Sequence, residues 1–128
     1  MDIVIGMQGK TDTLVEKADT AIEVGSGNLL VYATPCMVAL MEGAACEAID
    51  DAVPEGKTTV GIELILKHTS ATPVGMEVYA EAVVTEIDGN IITFSITAYD
   101  EAGKIGECTH KRAIVSSERF LEKTYAKL

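Results

Sequence analysis

The pattern of apolar and polar positions predicts a run of strands in the second half of the chain. Residues 58–69 alternate between an apolar and a mixed face, as expected for a strand with one buried side. The apolar face carries Val60, Ile62, Leu64, Leu66 and His68. Turn-forming residues separate three further predicted strands, at residues 76–87, 91–99 and 104–116. A short helix is predicted over residues 117–125, with Ser117 as its N-cap.

The first half of the chain is predicted to contain one strand and one very apolar helix. Residues 12–24 alternate loosely between apolar and polar types, which favours a first strand. The dipeptide Thr34-Pro35 is a helix-start signal, because Thr is a good N-cap and Pro suits the first helical position. The helix is predicted to run from about Pro35 to about Asp51. It carries so little charge that most of its sides are expected to be buried.

This order of elements predicts an α+β fold: a strand, a buried helix and four strands joined largely by hairpins. An antiparallel sheet with one apolar face covers that face by wrapping around the helix, which is the hot-dog architecture. We expect one such domain over residues 1–128. A single helix and one curved sheet leave a sheet edge and apolar surface uncovered, so a dimer is expected.

Charge limits the classes of partner. The formal net charge of −10 argues against nucleic-acid binding, which needs a basic surface to neutralise phosphates. The charge is unevenly distributed, because residues 104–128 hold six basic and three acidic side chains. This basic end is expected to be a solvated C-terminal helix or to meet a small anionic ligand such as a nucleotide-bearing cofactor.

The cysteines and the hydropathy pattern predict a cytoplasmic protein. The three cysteines form no CxxC pair, and Cys36 and Cys46 would lie ~15 Å apart on one helix, too far for a disulfide. Free thiols are typical of a reducing compartment. The sequence has no apolar run long enough for a membrane span and no signal-peptide pattern at its N-terminus.

Glu42 and His68 are the main candidates for chemistry. Glu42 interrupts an apolar stretch, and a carboxylate there is costly to bury unless it has a function or a partner. Its helical stripe, Val38-Glu42-Ala45-Ile49, is expected to face the sheet, whereas Glu47 is expected to be solvated. His68 ends the apolar face of strand 58–69, so the two side chains are predicted to approach one apolar-walled site, within one subunit or across a dimer interface. Such a pair can perform acid–base or nucleophilic work on an acyl group.

Each candidate also has a purely structural explanation. Glu42 would then accept backbone N–H groups, and His68 would be a hydrogen-bonded core histidine. Thr34 is either a helix cap or a group that orients substrate or the Glu–His pair. Gly61 marks a bulge or lets a ligand approach its N–H.

Three further residues have less specific signals. Cys36 lies near a helix start, where the dipole would lower its thiol pKa, but a small buried side chain also explains it. His110 and Arg112 share one strand face and are expected to bind an anion or a partner subunit, or to form a salt bridge. The cysteine and histidine spacing has no zinc signature, so no metal is expected.

Several blocks of sequence together resemble the fluoroacetyl-CoA thioesterase-like family of the hot-dog thioesterase superfamily. These blocks are Val31–Thr34 followed by Met37–Glu42, Gly61 with His68–Gly75, and Thr109–Ala113, and the similarity spans roughly residues 15–118. The resemblance implies a catalytic Thr, Glu and His at a dimer interface, which fall on Thr34, Glu42 and His68. It also implies that the Gly61 backbone lies by the thioester carbonyl and that Arg112 lies near the substrate.

The function implied by this resemblance is hydrolysis of a small acyl-CoA by a homodimer or a dimer of dimers. No cofactor is expected, because CoA is part of the substrate. The chain departs from the fluoroacetyl-specific enzyme at Pro35-Cys36, where that enzyme has a glycine and an aromatic residue, so the acyl group stays open. The alternative is a hot-dog module that binds CoA or another small ligand without hydrolysis. A hydratase or dehydratase ranks last, because the Asp–His pairing typical of that class is absent.

Overall fold

Five strands and one long helix make up most of the computed structural model, which describes residues 2–128. The strands are β1 (Gln8–Leu14), β2 (Lys57–His68), β3 (Glu77–Asp88), β4 (Ile91–Asp100) and β5 (Gly103–Ser116). The helices are α1 (Ala21–Val24), α2 (Thr34–Ile49) and α3 (Ser117–Tyr125). All strand pairs are antiparallel, in the order β1-β3-β4-β5-β2, so β1 and β2 form the two edges of the sheet.

The sheet wraps around α2, as the sequence predicted. Met37 and Met41 of the helix are fully buried, as are Ile92 and Phe94 of the central strand β4. Burying side chains of this size stabilises the fold by about 1.5–3 kcal/mol each. No helix within residues 2–128 is both long and apolar enough to cross a membrane.

The predicted first strand was wrong. Residues 12–24 were expected to be extended, whereas β1 ends at Leu14 and a turn and the short helix α1 follow it. β1 is an edge strand whose side chains are mostly exposed, so its sequence lacks the apolar alternation of a strand with one buried face. The other four strands and the closing helix lie within one or two residues of their predicted bounds.

Close contact with α2 holds β1 in place. A Cβ atom on Gly9 would collide with the Ala44 carbonyl oxygen and the Ala48 nitrogen of the helix backbone, so only glycine allows this approach. The carboxylate of Glu47, which is exposed as predicted, accepts a hydrogen bond from the Lys10 backbone N–H at 2.7 Å.

A bulge in β2 corrects the predicted strand face. The register against β5 shifts between Gly61 and Glu63, which leaves Ile62 outside the regular ladder and 51% exposed. Because a bulge inserts one extra residue, the inward side changes parity there. Gly61 therefore lies opposite the buried Arg112 and His68 keeps its predicted inward phase, whereas the inward positions predicted for Val60 and Ile62 were wrong.

The buried face of α2 also differs from the predicted stripe. Its fully or nearly fully buried residues are Met37, Leu40, Met41, Ala44, Ala45 and Ile49. Val38 and Glu42 lie at the margin of this face and are half-buried. The Glu42 carboxylate therefore reaches the opening beside the edge strand β2 instead of the centre of the core.

Candidate active site

A buried arginine fixes the Glu42 carboxylate. Arg112 of β5 donates from Nη1 to Glu42 Oε2 at 2.9 Å. Its Nε donates to Thr59 Oγ1 at 2.9 Å, and its Nη2 donates to the Thr59 carbonyl at 3.0 Å. Since Thr59 of β2 accepts hydrogen bonds along one edge of the guanidinium, the guanidinium presents Nη1 to Glu42 in one orientation.

His110 completes this group beneath Glu42. Its ring is 1% exposed, and its Nδ1 lies 2.8 Å from the Glu63 carbonyl oxygen. Its Nε2 lies 3.2 Å from Arg112 Nη1 and 3.8 Å from Glu42 Oε2. Burial lowers the pKa of His110, the hydrogen bond to the Glu63 carbonyl and the Glu42 charge offset this shift in part, and the Arg112 charge adds to it. The ring is thus neutral near pH 7, and its proximity to Glu42 is not an ion pair.

Gly61 leaves room for the Glu42 carboxylate. A Cβ atom at this position would lie 2.7 Å from Glu42 Oε2, 3.2 Å from His110 Cε1 and 3.4 Å from Arg112 Nη1. The side chain of Glu42 is 40% exposed and borders a cleft of about 250 Å³ that Val38 and Leu64 also line. We call Glu42, Thr59, Gly61, His110 and Arg112 the carboxylate cluster.

A second polar contact joins the start of α2 to the end of β2. Thr34 Oγ1 lies 2.7 Å from His68 Nδ1. The N-cap of α2 is Ala33, so the predicted capping role of Thr34 was wrong and its hydroxyl is directed to the imidazole. We call Thr34 and His68 the hydroxyl–imidazole pair.

The free ring nitrogen of His68 is available for chemistry. Its Nε2 is buried and has no hydrogen-bond partner within residues 2–128. Burial lowers the pKa of His68, and the nearby Ser70 backbone offsets that shift only in part. A neutral imidazole with one unpaired nitrogen can accept or deliver a proton at an adjacent ligand. The pair borders a cleft of about 270 Å³ that Tyr32 and Ala71 also line.

Within one chain the two groups are separate. Thr34 and Glu42 are eight residues apart on α2, about 12 Å along the helix axis. In the part of the chain that the structure describes, Glu42 contacts Arg112 and His110 and makes no hydrogen bond or ion pair with His68. One chain therefore holds two separate polar groups at different points along the edge strand.

His110 was predicted from the sequence to bind an anion or a partner subunit or to form a salt bridge, and it was not among the predicted site residues. The available signal was its position two residues before Arg112 on one strand face. The bulge after Gly61 determines which β2 residues face this pair, and strand periodicity does not predict the bulge.

The predicted lowering of the Cys36 thiol pKa was wrong. All three cysteines are free, and burial raises the pKa of the Cys36 thiol, whereas the helix dipole was expected to lower it. Burial also raises the pKa of Cys108 to about 11. Neither thiol is a good nucleophile near pH 7. Within residues 2–128 no three His, Cys, Asp or Glu side chains are grouped to hold a metal ion.

Comparison with known proteins decides the family. A family model described as fluoroacetyl-CoA-specific thioesterase matches residues 15–118. The chain belongs to this family. The predicted resemblance is therefore confirmed, and both the carboxylate cluster and the hydroxyl–imidazole pair lie inside the matched region.

Individual members of the fluoroacetyl-CoA-specific thioesterase family and other solved structures are also similar to this chain. The fluoroacetyl-CoA thioesterase of Streptantibioticus cattleyicolor is 34% identical over 97 residues, which cover 76% of this chain and 70% of that protein. The solved structure of the fluoroacetyl-CoA thioesterase FlK matches with a TM-score of 0.94 at 28% identity, over 100% of this chain and 99% of that one. A hot-dog-like protein from Thermanaerovibrio acidaminovorans matches with a TM-score of 0.86 at 21% identity, over 97% and 92% of the two chains. The hot-dog fold prediction is confirmed.

Proposed function

We propose that this protein is a thioesterase that hydrolyses a small acyl-CoA at a site built by two copies of the chain. The observation that carries the proposal is the Glu42 carboxylate, fixed by Arg112 at an open cleft beside Gly61. Membership in a family of thioesterases supports the reaction class. We take residues 1–128 as one hot-dog domain and assign it to the cytoplasm, where its three thiols would stay reduced.

The edge strand β2 supports assembly across a dimer. Its free edge can pair with the same edge of a second copy around a two-fold axis. If that axis passes at Ile65, Gly61 lies opposite the partner's His68, because the bulge at Ile62 makes the two positions equally far from Ile65: their partners on β5, Arg112 and Gly106, are each three residues from Thr109. Ile65 is 66% exposed near the axis, so apolar surface is available for burial. Two such sites would form per homodimer, and a dimer of dimers would keep the same pairs.

In this arrangement the carboxylate cluster of one chain and the hydroxyl–imidazole pair of the other are the two half-sites of one active site. They supply complementary chemistry. Glu42 attacks the thioester carbonyl carbon, or activates a water that does so, and the C–S bond breaks. The electron pair of that bond leaves with the CoA sulfur. Where Glu42 attacks, water cleaves the acyl–Glu42 anhydride and gives a proton to the partner's neutral His68, which passes it to the CoA thiolate. Where Glu42 activates water, the same imidazole relays the proton from Glu42 to the thiolate. The partner's Thr34 orients the imidazole. The Gly61 N–H stabilises the negative charge on the carbonyl oxygen, a contact worth about 3 kcal/mol in comparable sites. A free acid and CoA are released, and no cofactor beyond the substrate's own CoA takes part.

A panel of acyl-CoA substrates tests this function. The purified protein is mixed with acetyl-, fluoroacetyl-, propionyl-, branched and medium-chain acyl-CoAs, and the released thiol is followed. We expect turnover of at least one short acyl-CoA at a kcat of roughly 1 s⁻¹ or more, in the ordinary range of enzymes.

The panel also separates the enzyme from a binding module. If no acyl-CoA is cleaved, the thioesterase proposal is wrong. Stoichiometric binding of acyl-CoA that stays intact for hours would then indicate a module that holds CoA without hydrolysing it.

A further inference from the structure

We propose that His110 is a positioning residue that aligns Glu42 by holding Arg112 Nη1. The inference rests on the proposed function only in treating Glu42 as the reacting carboxylate. His110 lines the cleft beside Glu42, but its Nε2 is 3.8 Å from Glu42 Oε2, too far for a hydrogen bond, and its polar contact within the site is with Arg112. It differs from the Thr, Glu and His set implied by the sequence resemblance, because it belongs to β5 and has no open ring nitrogen.

The hydrogen bonds of His110 leave one tautomer. The Glu63 carbonyl oxygen can only accept, so the proton of the 2.8 Å contact lies on His110 Nδ1. Arg112 Nη1 can only donate, so at 3.2 Å it must donate to an unprotonated His110 Nε2. His110 is therefore a neutral Nδ1–H imidazole with both nitrogens in use.

This tautomer supplies an acceptor for the second hydrogen of Arg112 Nη1. Four of the five guanidinium N–H groups have acceptors: two at Thr59, one at Glu42 Oε2 and one at His110 Nε2. The two hydrogens of Nη1 are thus divided between Glu42 and His110. If Nε2 is removed, one Nη1 hydrogen loses its acceptor in a group that is only 7% exposed. The guanidinium would then turn to recover a partner and carry the Glu42 carboxylate with it.

Protonation of His110 would have the same effect. A proton on Nε2 would remove the acceptor and bring a second positive charge within 3.2 Å of Arg112 Nη1. The charged groups that face the ring are Arg112 and Glu42, and its other nitrogen meets only the neutral Glu63 carbonyl. Because the ring is buried against Phe94, the carboxylate cluster stabilises the neutral form of His110.

Two amide substitutions separate positioning from simple structural support. In His110→Asn the side-chain NH₂ can replace Nδ1–H at the Glu63 carbonyl, but nothing replaces Nε2. In His110→Gln the longer side chain can place its carbonyl oxygen near the former Nε2 and accept from Arg112. Each variant therefore keeps one of the two hydrogen bonds of His110. His110→Asn keeps the one to the Glu63 carbonyl, and His110→Gln keeps the one from Arg112.

We expect His110→Asn to lower kcat by about 10- to 100-fold while KM changes by less than about threefold, because binding groups are untouched. His110→Gln should recover most of the lost kcat. Thermal unfolding of both variants is measured in parallel. A native kcat in His110→Asn, or an equal loss of kcat in both variants, would overturn the proposal.

Nitrogen NMR of the native protein gives a test that does not need turnover. The chain has two histidines and two arginines, so ¹⁵N labelling of both residue types gives two ring systems, which His68→Ala assigns, and two guanidinium groups. We expect His110 with a proton on Nδ1 and none on Nε2 at pH 7, and a protected Arg112 Nη signal that is lost in His110→Asn. A proton on Nε2, a charged ring at pH 7 or an unchanged Arg112 signal would contradict the inference, even if the acyl-CoA panel also failed.

Discussion

Glu42→Gln should abolish most of the thioesterase activity while leaving the fold intact. The amide oxygen can still accept the hydrogen bond from Arg112 Nη1, so the cluster keeps its packing. The variant loses the negative charge that makes Glu42 a base or a nucleophile. Since this is the reacting group, we expect kcat/KM to fall by about 10³-fold or more, measured by thiol release.

Glu47→Gln is the matched control for this substitution. Glu47 lies on the same helix, is exposed and accepts one backbone hydrogen bond from Lys10. It should therefore lower the free energy of unfolding by about 1 kcal/mol or less and leave kcat/KM near the native value. If Glu42→Gln retains activity within about threefold of native, Glu42 is not the reacting carboxylate.

His68→Ala is expected to have the second largest effect. The ring loses its role as proton donor and acceptor, so kcat/KM should fall by about 10²- to 10⁴-fold. Because the proposed cycle starts from neutral His68, activity of the native protein should decline as falling pH protonates the ring. Burial lowers the pKa of His68, so this decline should begin below the ordinary value of 6.5.

The pH profile and the Thr34 variants check this role. His68→Ala should lose the acid limb that we expect in the native profile below pH 6.5. Thr34→Ser keeps the hydroxyl that contacts His68 Nδ1 and should stay near native, whereas Thr34→Val should lose much of the activity. An unchanged acid limb in His68→Ala would assign the titration to another group.

Much of the fold could be predicted because its main elements carry local signals. The apolar helix that starts at Thr34-Pro35 and the hairpin-linked strands from residue 57 onward have strong periodicity and clear turns. The first strand failed because its place depends on the contact of Gly9 with the α2 backbone, a tertiary interaction without a local pattern.

The site was predictable in its parts but not in its arrangement. Glu42 and His68 stand out as polar residues in apolar surroundings, and Gly61 and Arg112 are lined up by strand register. The bulge at Ile62 and the partnership of Glu42 with Arg112 are three-dimensional facts that helix and strand phase do not contain. For that reason the sequence predicted one meeting point for Glu42 and His68, whereas a single chain holds two half-sites.

Subunit mixing tests most directly whether two chains build the thioesterase site. The inactive variants Glu42→Gln and His68→Ala are unfolded together, refolded and assayed, with mixed dimers verified by native mass spectrometry. Half of the dimers should be mixed and carry one intact site of two, so about a quarter of native activity should return. A mixture of Thr34→Val and His68→Ala damages the same half-site twice and should recover no activity above that of its separate variants. Absence of recovery in the first mixture, with mixed dimers present, would contradict a shared site.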